Sequence, residues 1–340
     1  MAGPTTSDRS RTASQPALVQ QVRDWILHGR LPTVTAVVLL TLAFGANLVL
    51  NDNFLTAFNL RSIFANSVPL VAVAVGQTII VLGGGIDLSI GNIAGLCSVV
   101  TVSLVEPLGL PLALLIGLAT GAACGLFNGI LVAVIRLQPI VATFASSFVF
   151  AGLALLVLPP AAASGVAAPR MPEGIVQGYR GTVLGVPNAA LLILAIGLLW
   201  LVLKRTQLLR HVYAVGGDQQ AAFATGVRVA RTRTATYVLG GTLAALASFA
   251  MLANSGSGDA LAGGGLTLAS IAALVIGGTR LAGGFGGAGG TIVGVLVLQL
   301  LSNLVVALRP PTTLRQLIDG LLVILALALA GLWSRRRGRA

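Results

Sequence analysis

Residues 76–95 read GQTIIVLGGGIDLSIGNIAG, and Asp87 in this stretch is the one formal charge between Arg61 and Glu106. The apolar residues around it extend far enough to cross a lipid bilayer. A carboxylate at that depth costs about 3 kcal/mol even on scales derived from membrane insertion. The stretch therefore predicts a membrane protein in which Asp87 has a specific structural or functional role.

Three consecutive glycines, Gly83, Gly84 and Gly85, precede this aspartate. Glycines are poor helix formers, and backbone groups that they free are tolerated at membrane depth only beside protein or a water-filled cavity. The run therefore predicts a break between two helices. If the next helix starts near residue 88, Asp87 is its N-cap and accepts from the amide of residue 89 or 90. That cap would by itself explain Asp87, so a structural role and a functional charge both stay open.

The composition excludes a soluble domain. Of the 340 residues, 56% are hydrophobic and 9% are charged, which leaves too little polar surface to cover a folded exterior. The net charge of +12 comes from short basic clusters between apolar runs, as in loops on the inner side of a membrane, so nucleic acid is not expected as a partner. Cys97 and Cys124 both lie in apolar segments and predict no disulfide.

The hydropathy pattern predicts an all-α, polytopic membrane protein with about ten transmembrane helices, some of them broken by glycines. The ten predicted spans are 33–50, 62–82, 88–105, 110–135, 138–158, 187–203, 234–254, 266–279, 286–308 and 313–333. Residues 159–186 form the long external loop, with room for one short surface helix. Eight spans are the alternative, if one glycine-broken pair enters and leaves on the same side.

Basic residues set the predicted orientation. Residues 1–32 form a polar tail without a signal-peptide pattern, residues 204–233 form the most basic loop, and residues 335–340 form a basic C-terminal tail. Ten spans place all three segments in the cytosol and leave residues 33–334 as the transmembrane domain. Agreement between the span count and the charge distribution supports this topology.

Several enzymatic or cofactor functions find no support in the motifs. Gly284, Gly286 and Gly289 match G-x-G-x-x-G, but no strand and no later acidic residue accompany them, so we interpret them as surfaces for close helix packing. The sequence has no G-x-x-x-x-G-K-[ST] motif for nucleotide phosphates. His28 and His211 have no second ligand at a suitable spacing, so no metal site is predicted.

Two carboxylates in apolar segments leave an intramembrane aspartyl protease as a remote alternative. Asp87 and Asp319 would have to share a proton to act as a catalytic dyad. The predicted topology places Asp87 near the inner face and Asp319 near the outer face. This separation makes a dyad a poor explanation of the pair.

The basic loop contains AVGGDQQAAFATGV at residues 214–227. Asp218 has the position of an N-cap, residues 219–225 form a two-turn helix, and Gly226 is the expected stop. A helix this short is marginal alone in water, so it should be held by a partner or by the membrane surface. Its predicted apolar face consists of Ala222, Phe223 and Val227.

These motifs resemble the ribose-type permease subunits of bacterial ATP-binding-cassette importers. The resemblance covers about residues 35–330 and is most specific at GGIDLSIG, residues 84–91, and at YAVGGDQQAAFATGV, residues 213–227. Weaker matches are FNG at 127–129, PIVAT at 139–143 and IAALVIGGT at 271–279. Asn92, Asp218 and Arg280 depart from the residues usual in the family. These departures bear on which solute is carried.

The resemblance implies a permease of the bacterial inner membrane that imports a monosaccharide or similar polar solute. It would dimerise with a second permease subunit and receive its solute from an extracytoplasmic binding protein. Separate ATPase subunits would bind and hydrolyse the ATP. The permease itself would then need no cofactor and would not be an enzyme. The predicted gate residues are Gly83, Gly84, Gly85, Asp87, Ser89, Asn92 and Asn128. The predicted ATPase-coupling residues are Gly216, Gly217, Asp218, Ala221, Ala222, Phe223 and Gly226. An ion-coupled secondary transporter with Asp87 as its cation site is the alternative.

Overall fold

The computed structural model describes residues 31–157, 170–308, 311, 314, 317, 320 and 321. The chain is almost entirely helical over these residues. Its elements are α1 (Leu31–Leu50), α2 (Ala57–Leu82), α3 (Ile90–Leu108), α4 (Leu110–Gly129) with a π-helical turn (Ile130–Val134), α5 (Pro139–Val157), α6 (Glu173–Arg180), β1 (Thr182–Val183), β2 (Val186–Pro187), α7 (Asn188–Lys204), α8 (Gln207–Gly217), α9 (Gln219–Ala224), α10 (Val229–Ser255), α11 (Gly264–Ile276) and α12 (Ala288–Ala307).

Helix α2 is the centre of the molecule. Its most apolar 18-residue window is 94% buried inside the protein, and α7, α10, α11 and α12 all pack against it. Helix α10 contacts α2, α3 and α4, so these two long helices organise the rest. They meet at Gly76 and Gly240, where a methyl group on Gly76 would lie 3.2 Å from the carbonyl oxygen of Gly240. The apolar character of α2 therefore serves internal packing more than contact with lipid.

Small residues also set the distance between α4 and α10. Glycines recur every four residues along α4: Gly121, Gly125 and Gly129 face α10, and Gly117 lies against both Thr101 of α3 and Phe249 of α10. A methyl group on Gly129 would come within 2.9 Å of the Thr234 backbone, and one on Gly121 would overlap the carbonyl oxygen of Gly241. Without a hydrophobic driving force between helices in lipid, such close backbone approach is a main source of helix association.

The glycine-rich stretch after α11 has the packing role that the sequence predicts. Gly277 and Gly290 are in backbone contact between α11 and α12, and a methyl group on either would overlap the other's backbone. Gly294 makes the same kind of contact with Ala273. The interpretation of this stretch as a packing surface is confirmed at Gly277 and Gly290, and also at Gly284, which lies against the Gly217 backbone, whereas Gly289 meets nothing within 4 Å and makes no such contact.

Nine of the ten predicted spans coincide with a helix of the described residues. Six helices are long and apolar enough to cross a membrane, and a seventh results if α7 and α8, bent by 78°, are one span. Residues 34–50 and 264–276 form shorter apolar helices. The tenth predicted span, 313–333, lies largely outside the described residues, so the count of ten stays a prediction. The all-α, polytopic class is confirmed.

The two long loops contain more structure than the sequence predicts. The external loop carries the expected short helix, α6, and also the β1–β2 hairpin, in which Val183 pairs with Val186. Tyr179 anchors α6 by donating to the carbonyl oxygen of Ala65 at 2.6 Å. In the cytosolic loop an additional helix, α8, precedes the predicted short one, and α10 begins at Val229 instead of residue 234. The tail residues 1–30 and 335–340 lie outside the described residues.

Candidate functional site

The segment between α2 and α3 forms a compact turn at the inner side of the predicted topology. Helix α2 has 26 residues and a length of about 39 Å, enough to cross the bilayer, and it ends at Leu82 with Gly83 as its C-cap. Gly84 has φ of +78°, in the left-handed region that favours glycine. The predicted break at Gly83–Gly85 is confirmed, and it joins two crossing helices at one membrane face instead of interrupting one helix at mid-depth.

Asp87 is fully buried in this turn, and three neutral donors satisfy its carboxylate. One oxygen, Oδ1, accepts from the backbone amide of Ser89 at 2.7 Å and from its hydroxyl at 2.6 Å. The other, Oδ2, accepts from Nδ2 of Asn128 at 3.2 Å, and the same nitrogen donates to Oγ of Ser89 at 2.7 Å. The structure thus brings together three predicted gate residues that are up to 41 positions apart.

The backbone of the turn is held from two further helices. Gln77 of α2, with its amide in the orientation that satisfies both contacts, donates to the Asp87 carbonyl at 3.2 Å and accepts from the Asp87 amide at 3.1 Å. Thr143 of α5 accepts from the Leu88 amide at 2.9 Å and lies 3.3 Å from the Ile86 carbonyl. Segments from α2, α4 and α5 therefore meet on a turn of seven residues.

The prediction that Asp87 is the N-cap of the following helix needs correction. Helix α3 begins at Ile90, and its N-cap is Ser89, which makes no side-chain capping bond. Asp87 lies two residues earlier and accepts from the Ser89 amide within the turn. Its second oxygen accepts from Asn128 of α4. The carboxylate therefore connects the turn before α3 to a separate helix, in addition to its bond within the turn.

Asn92 also contacts α5, but not the carboxylate. Its side-chain amide donates to the Ser147 carbonyl at 3.1 Å. On the other face of the first turn of α3, the Gly91 amide donates to Thr267 of α11 at 3.1 Å, and a methyl group on Gly91 would overlap the Gly263 carbonyl oxygen. The start of α3 is thus clamped between α5 and α11.

Three residues of the site were not singled out by sequence reasoning. Gln77 and Thr143 belong to the quoted stretches, where a buried polar side chain in an apolar run is the available signal. Tyr237 of α10 had no such signal: its buried hydroxyl has no partner among the described residues and would lie 2.5 Å from a methyl group on Gly85. Gly85 is therefore required by the packing of a distant helix.

The cytosolic loop and the Asp87 turn meet at a junction of five glycines, which we call the glycine junction: Gly84, Gly216, Gly217, Gly283 and Gly284. The Gly284 amide donates to the Leu82 carbonyl at the end of α2, at 3.1 Å. A methyl group on Gly216 would overlap that same carbonyl and come within 2.7 Å of the Gly284 amide. The end of α8 thus lies in direct backbone contact with the end of α2.

Helix α9 has the caps that the sequence predicts. Oδ1 of Asp218 accepts from the amides of Gln220 at 2.9 Å and Ala221 at 3.0 Å, and Gly226 follows the helix with φ of +86°. Two residues of its predicted apolar face differ in burial: Ala222 is 4% exposed and Phe223 is 73% exposed. The expectation that both contact a partner is wrong for Ala222, which packs inside this chain, and Phe223 is the residue available to another molecule.

A cavity of about 330 Å³ opens at the opposite, outer end of the bundle. It is lined by amide, hydroxyl and carboxylate side chains together with a few apolar ones: Asn66, Pro69, Ser98, Met251, Asn254, Ser255, Ser257, Asp259, Ala262 and Leu266. Asn254 donates to Asn66 at 2.8 Å across it, and the guanidinium of Arg180 donates to the Asn254 carbonyl. The cavity therefore offers both hydrogen-bond donors and acceptors between α2, α3, α10 and α11.

The geometry of the described residues does not support a metal site or a catalytic pair of carboxylates. In the residues that the structure describes, no group of three His, Cys, Asp or Glu side chains could hold a metal ion. The hydrogen-bond partners of the Asp87 carboxylate are Ser89 and Asn128, both neutral. Asp319, the second member of the suggested dyad, lies outside the described residues.

Comparison with known proteins decides the family. Residues 59–327 match the model of a family described as the permease component of branched-chain amino acid transport systems. The chain belongs to this family. It is therefore the permease component of a transport system and a multi-pass protein of the inner membrane, which confirms the predicted class and replaces the protease alternative.

Curated relatives cover nearly the whole permease. It is 34% identical over 286 residues to the ribose import permease protein RbsC of Bacillus subtilis, covering 83% of this chain and 87% of the relative. It is 32% identical over 346 residues to the fructose import permease protein FrcC of Rhizobium meliloti, covering 99% and 94%. It is 34% identical over 291 residues to the autoinducer 2 import system permease protein LsrC of an Enterobacter species, covering 85% and 83%. No solved structure matches the chain.

Proposed function

We propose that this permease forms the translocation path of an ATP-driven importer of a monosaccharide or similar small polar solute, and that α9 transmits movement of a separate ATPase to the Asp87 turn. The glycine junction carries this proposal. Helix α9 follows Gly216 and Gly217 directly, and Gly216 touches the backbone at the end of α2. A displacement of α9 would reach the gate through backbone contact alone, without flexible side chains between.

The relatives and the outer cavity support a polar, hydroxylated solute. Relatives that are 32–34% identical are named as importers of ribose and of fructose. The cavity of about 330 Å³ at the outer end presents Asn66, Asn254 and Asp259, whose amide and carboxylate groups suit hydroxyl groups. We propose this cavity as the entry of the path. A binding protein outside the membrane would deliver the solute, because so few aromatic faces are available here for tight sugar binding.

The remaining partners belong to the same proposal. Two copies of the permease would form the path together, and two ATPase subunits would dock from the cytosol. The mass of the detergent-solubilised complex tests the homodimer directly. A complex with one copy of this chain and a different permease subunit would contradict it.

The proposed contact with the ATPase is tested at Phe223. We expect Phe223→Ala to reduce co-purification of the ATPase at least tenfold and to abolish solute-stimulated ATP hydrolysis in proteoliposomes, because a buried aromatic anchor is often worth 2 kcal/mol or more at an interface. Leu261→Ala is the matched control. Leu261 is 69% exposed and lies in the outer turn, where no cytosolic subunit can reach it. If Phe223→Ala behaves like Leu261→Ala, α9 is an element of the membrane surface and coupling lies elsewhere.

The energy source and the solute are tested by uptake. Vesicles that contain the permease, its ATPase and its binding protein are supplied with radiolabelled ribose or fructose. We expect uptake of one of these to require ATP and to continue in the presence of an uncoupler. Uptake that stops with the uncoupler while ATP is present would favour ion coupling at Asp87.

A further inference from the structure

A large basic cleft opens on the cytosolic side, between the loop after α4, helix α9 with its exposed Phe223, and the start of α10. We call it the arginine cleft; its volume is about 900 Å³. Four arginines line it: Arg136, Arg228, Arg231 and Arg233. No acidic residue is among its lining residues in the part of the chain that the structure describes. The cleft therefore presents a concentrated positive charge to the cytosolic membrane boundary.

These arginines are available to a ligand. Within the described ranges, the side chains of Arg136, Arg228 and Arg231 form no hydrogen bond or ion pair, and all three residues are exposed. Arg233 is half-buried: its terminal nitrogen lies 3.4 Å from the Gly84 carbonyl, while its buried Nε has no partner among the described residues. Arg136 has φ of +66°, a conformation that non-glycine residues seldom adopt and that is concentrated at functional sites.

A second, apolar groove continues from the arginine cleft. We call it the acyl groove; its volume is about 420 Å³, and it shares Ala230 and Arg231 with the cleft. Its other lining residues come from the π-turn, α8 and α10, and all but one are apolar: Val134, Leu208, Thr234, Ala235, Val238 and Leu239. Going from Arg231 toward Leu239 leads along α10 away from its cytosolic end. The charged cleft is thus followed, in the direction of the bilayer, by an apolar groove.

We propose that the two cavities together bind one anionic glycerophospholipid of the inner leaflet, with its phosphate in the arginine cleft and one acyl chain in the acyl groove. Arginine pairs with phosphate through parallel N–H bonds, and basic pockets between membrane helices on the cytoplasmic side suit acidic headgroups. A soluble phosphate or an acidic peptide would leave the acyl groove without an occupant. Through Arg233, the bound phosphate would adjoin Gly84 in the glycine junction.

The test uses the full-length permease purified in a neutral detergent and analysed by native mass spectrometry. Phosphatidylglycerol and phosphatidylcholine with the same acyl chains are the probes. We expect phosphatidylglycerol to be retained at least tenfold more than phosphatidylcholine. The double variant Arg136→Asn, Arg231→Gln should lower that retention about 25-fold, about fivefold for each arginine. Asparagine is chosen at position 136 because it tolerates positive φ.

Two further variants locate the site. The double variant Arg205→Gln, Arg210→Gln removes two exposed charges of the same loop that line neither cavity, and it should change retention less than twofold. Ala235→Phe narrows the acyl groove. It should lower the retention of long-chain phosphatidylglycerol at least fivefold, and it should change the retention of an analogue with six-carbon acyl chains less than twofold.

Three results would overturn the proposal. The first is equal retention of both lipids by the wild-type permease. The second is displacement of phosphatidylglycerol by millimolar inorganic phosphate, which would make the cleft a simple anion site. The third is unchanged lipid retention with lost ATPase co-purification in the arginine variants, which would assign the cleft to an acidic surface of the ATPase. None of these measurements needs transport. Phe223, the proposed ATPase contact, also lines the cleft, so lipid retention is measured on the permease without its ATPase, and a failure of lipid binding is thereby distinguished from a failure of ATPase docking.

Discussion

Two helix junctions of this permease, called turns below, share one local pattern: a pair of glycines is followed within two residues by an aspartate, and a new helix starts one to three residues later. The first is Gly84 to Asp87 before α3, and the second is Gly216 to Asp218 before α9. At the second junction the glycines are the last residues of α8, and Asp218 alone lies between the two helices. Asp87 is fully buried and bonds to a neighbouring helix, whereas Asp218 is exposed and bonds only to its own helix. The two turns touch each other through Gly84 and Gly216. The same short pattern therefore serves as an internal connection in one place and as a simple cap in the other, and burial makes the difference.

The largest effect should come from removing the buried carboxylate. Asp87→Leu leaves the Ser89 amide and the Ser89 hydroxyl without their acceptor, at about 1–3 kcal/mol for each unsatisfied group, and the Asn128 amide keeps only its bond to the Ser89 hydroxyl oxygen. We therefore expect loss of monodisperse protein on size-exclusion chromatography. Asp218→Leu is the matched change in the exposed turn and should leave the protein monodisperse. Equal damage by both would remove the distinction between the turns.

Asp87→Asn separates the hydrogen bonds of this site from its charge. Asparagine keeps an acceptor for Ser89, and the Asn128 amide can rotate to accept from the new donor, because its Oδ1 has no partner among the described residues. We expect a folded protein that is destabilised by about 1–2 kcal/mol in thermal unfolding and that still transports. A folded Asp87→Asn permease without any transport would show that the negative charge itself is required.

The next largest effect concerns the contact between the two turns. Gly216→Ala places a methyl group on the Leu82 carbonyl and should cost at least about 1–3 kcal/mol, because neither backbone can move aside easily. Gly217→Ala, one residue later, meets nothing within 4 Å and is the control. Thermal unfolding and solute-stimulated ATP hydrolysis should both fall in the first variant only. A Gly216→Ala protein with normal coupling would show that the glycine junction does not transmit movement.

A smaller effect is expected at the exposed cap. Asp218→Ala removes the acceptor for the amides of Gln220 and Ala221 and should destabilise α9 by about 1 kcal/mol, which corresponds to a fivefold weaker association with the ATPase. Asp218→Asn, which caps equally well, should retain wild-type association. Titration of the ATPase onto immobilised permease measures both. If asparagine is as harmful as alanine, the charge of Asp218 takes part in docking.

The smallest effect should come from Asn92→Ser. The change removes one hydrogen bond to the Ser147 carbonyl and should cost about 1 kcal/mol or less. We expect unchanged assembly and a shift of only a few degrees in the unfolding midpoint. A change in solute preference measured by competitive uptake would instead place Asn92 on the path and add a second role to the buried turn.

Local patterns were enough to predict the segments of the permease, and in part its family. Nine spans, the break at Gly83–Gly85, and both caps of α9 follow from hydropathy, glycine runs and capping residues, because these depend on contacts a few positions apart. Helix α8 was missed because QLLRHVYAVGG lies in a basic loop and is too short and polar to resemble a span.

The functional geometry depended on contacts that no local pattern encodes. The sequence predicted Asp87 as a helix cap, yet its bond to Asn128 joins residues 41 positions apart. Ala222 is buried because of the way α9 packs on the rest of the chain. The glycine junction joins residues near 84, 216 and 283 that only the folded bundle places together. By itself, the sequence determined which segments are helical and where they turn, because helix propensity, capping and glycine breaks depend on residues only a few positions apart. The tertiary structure decided which turn is buried, since burial depends on the arrangement of the whole bundle.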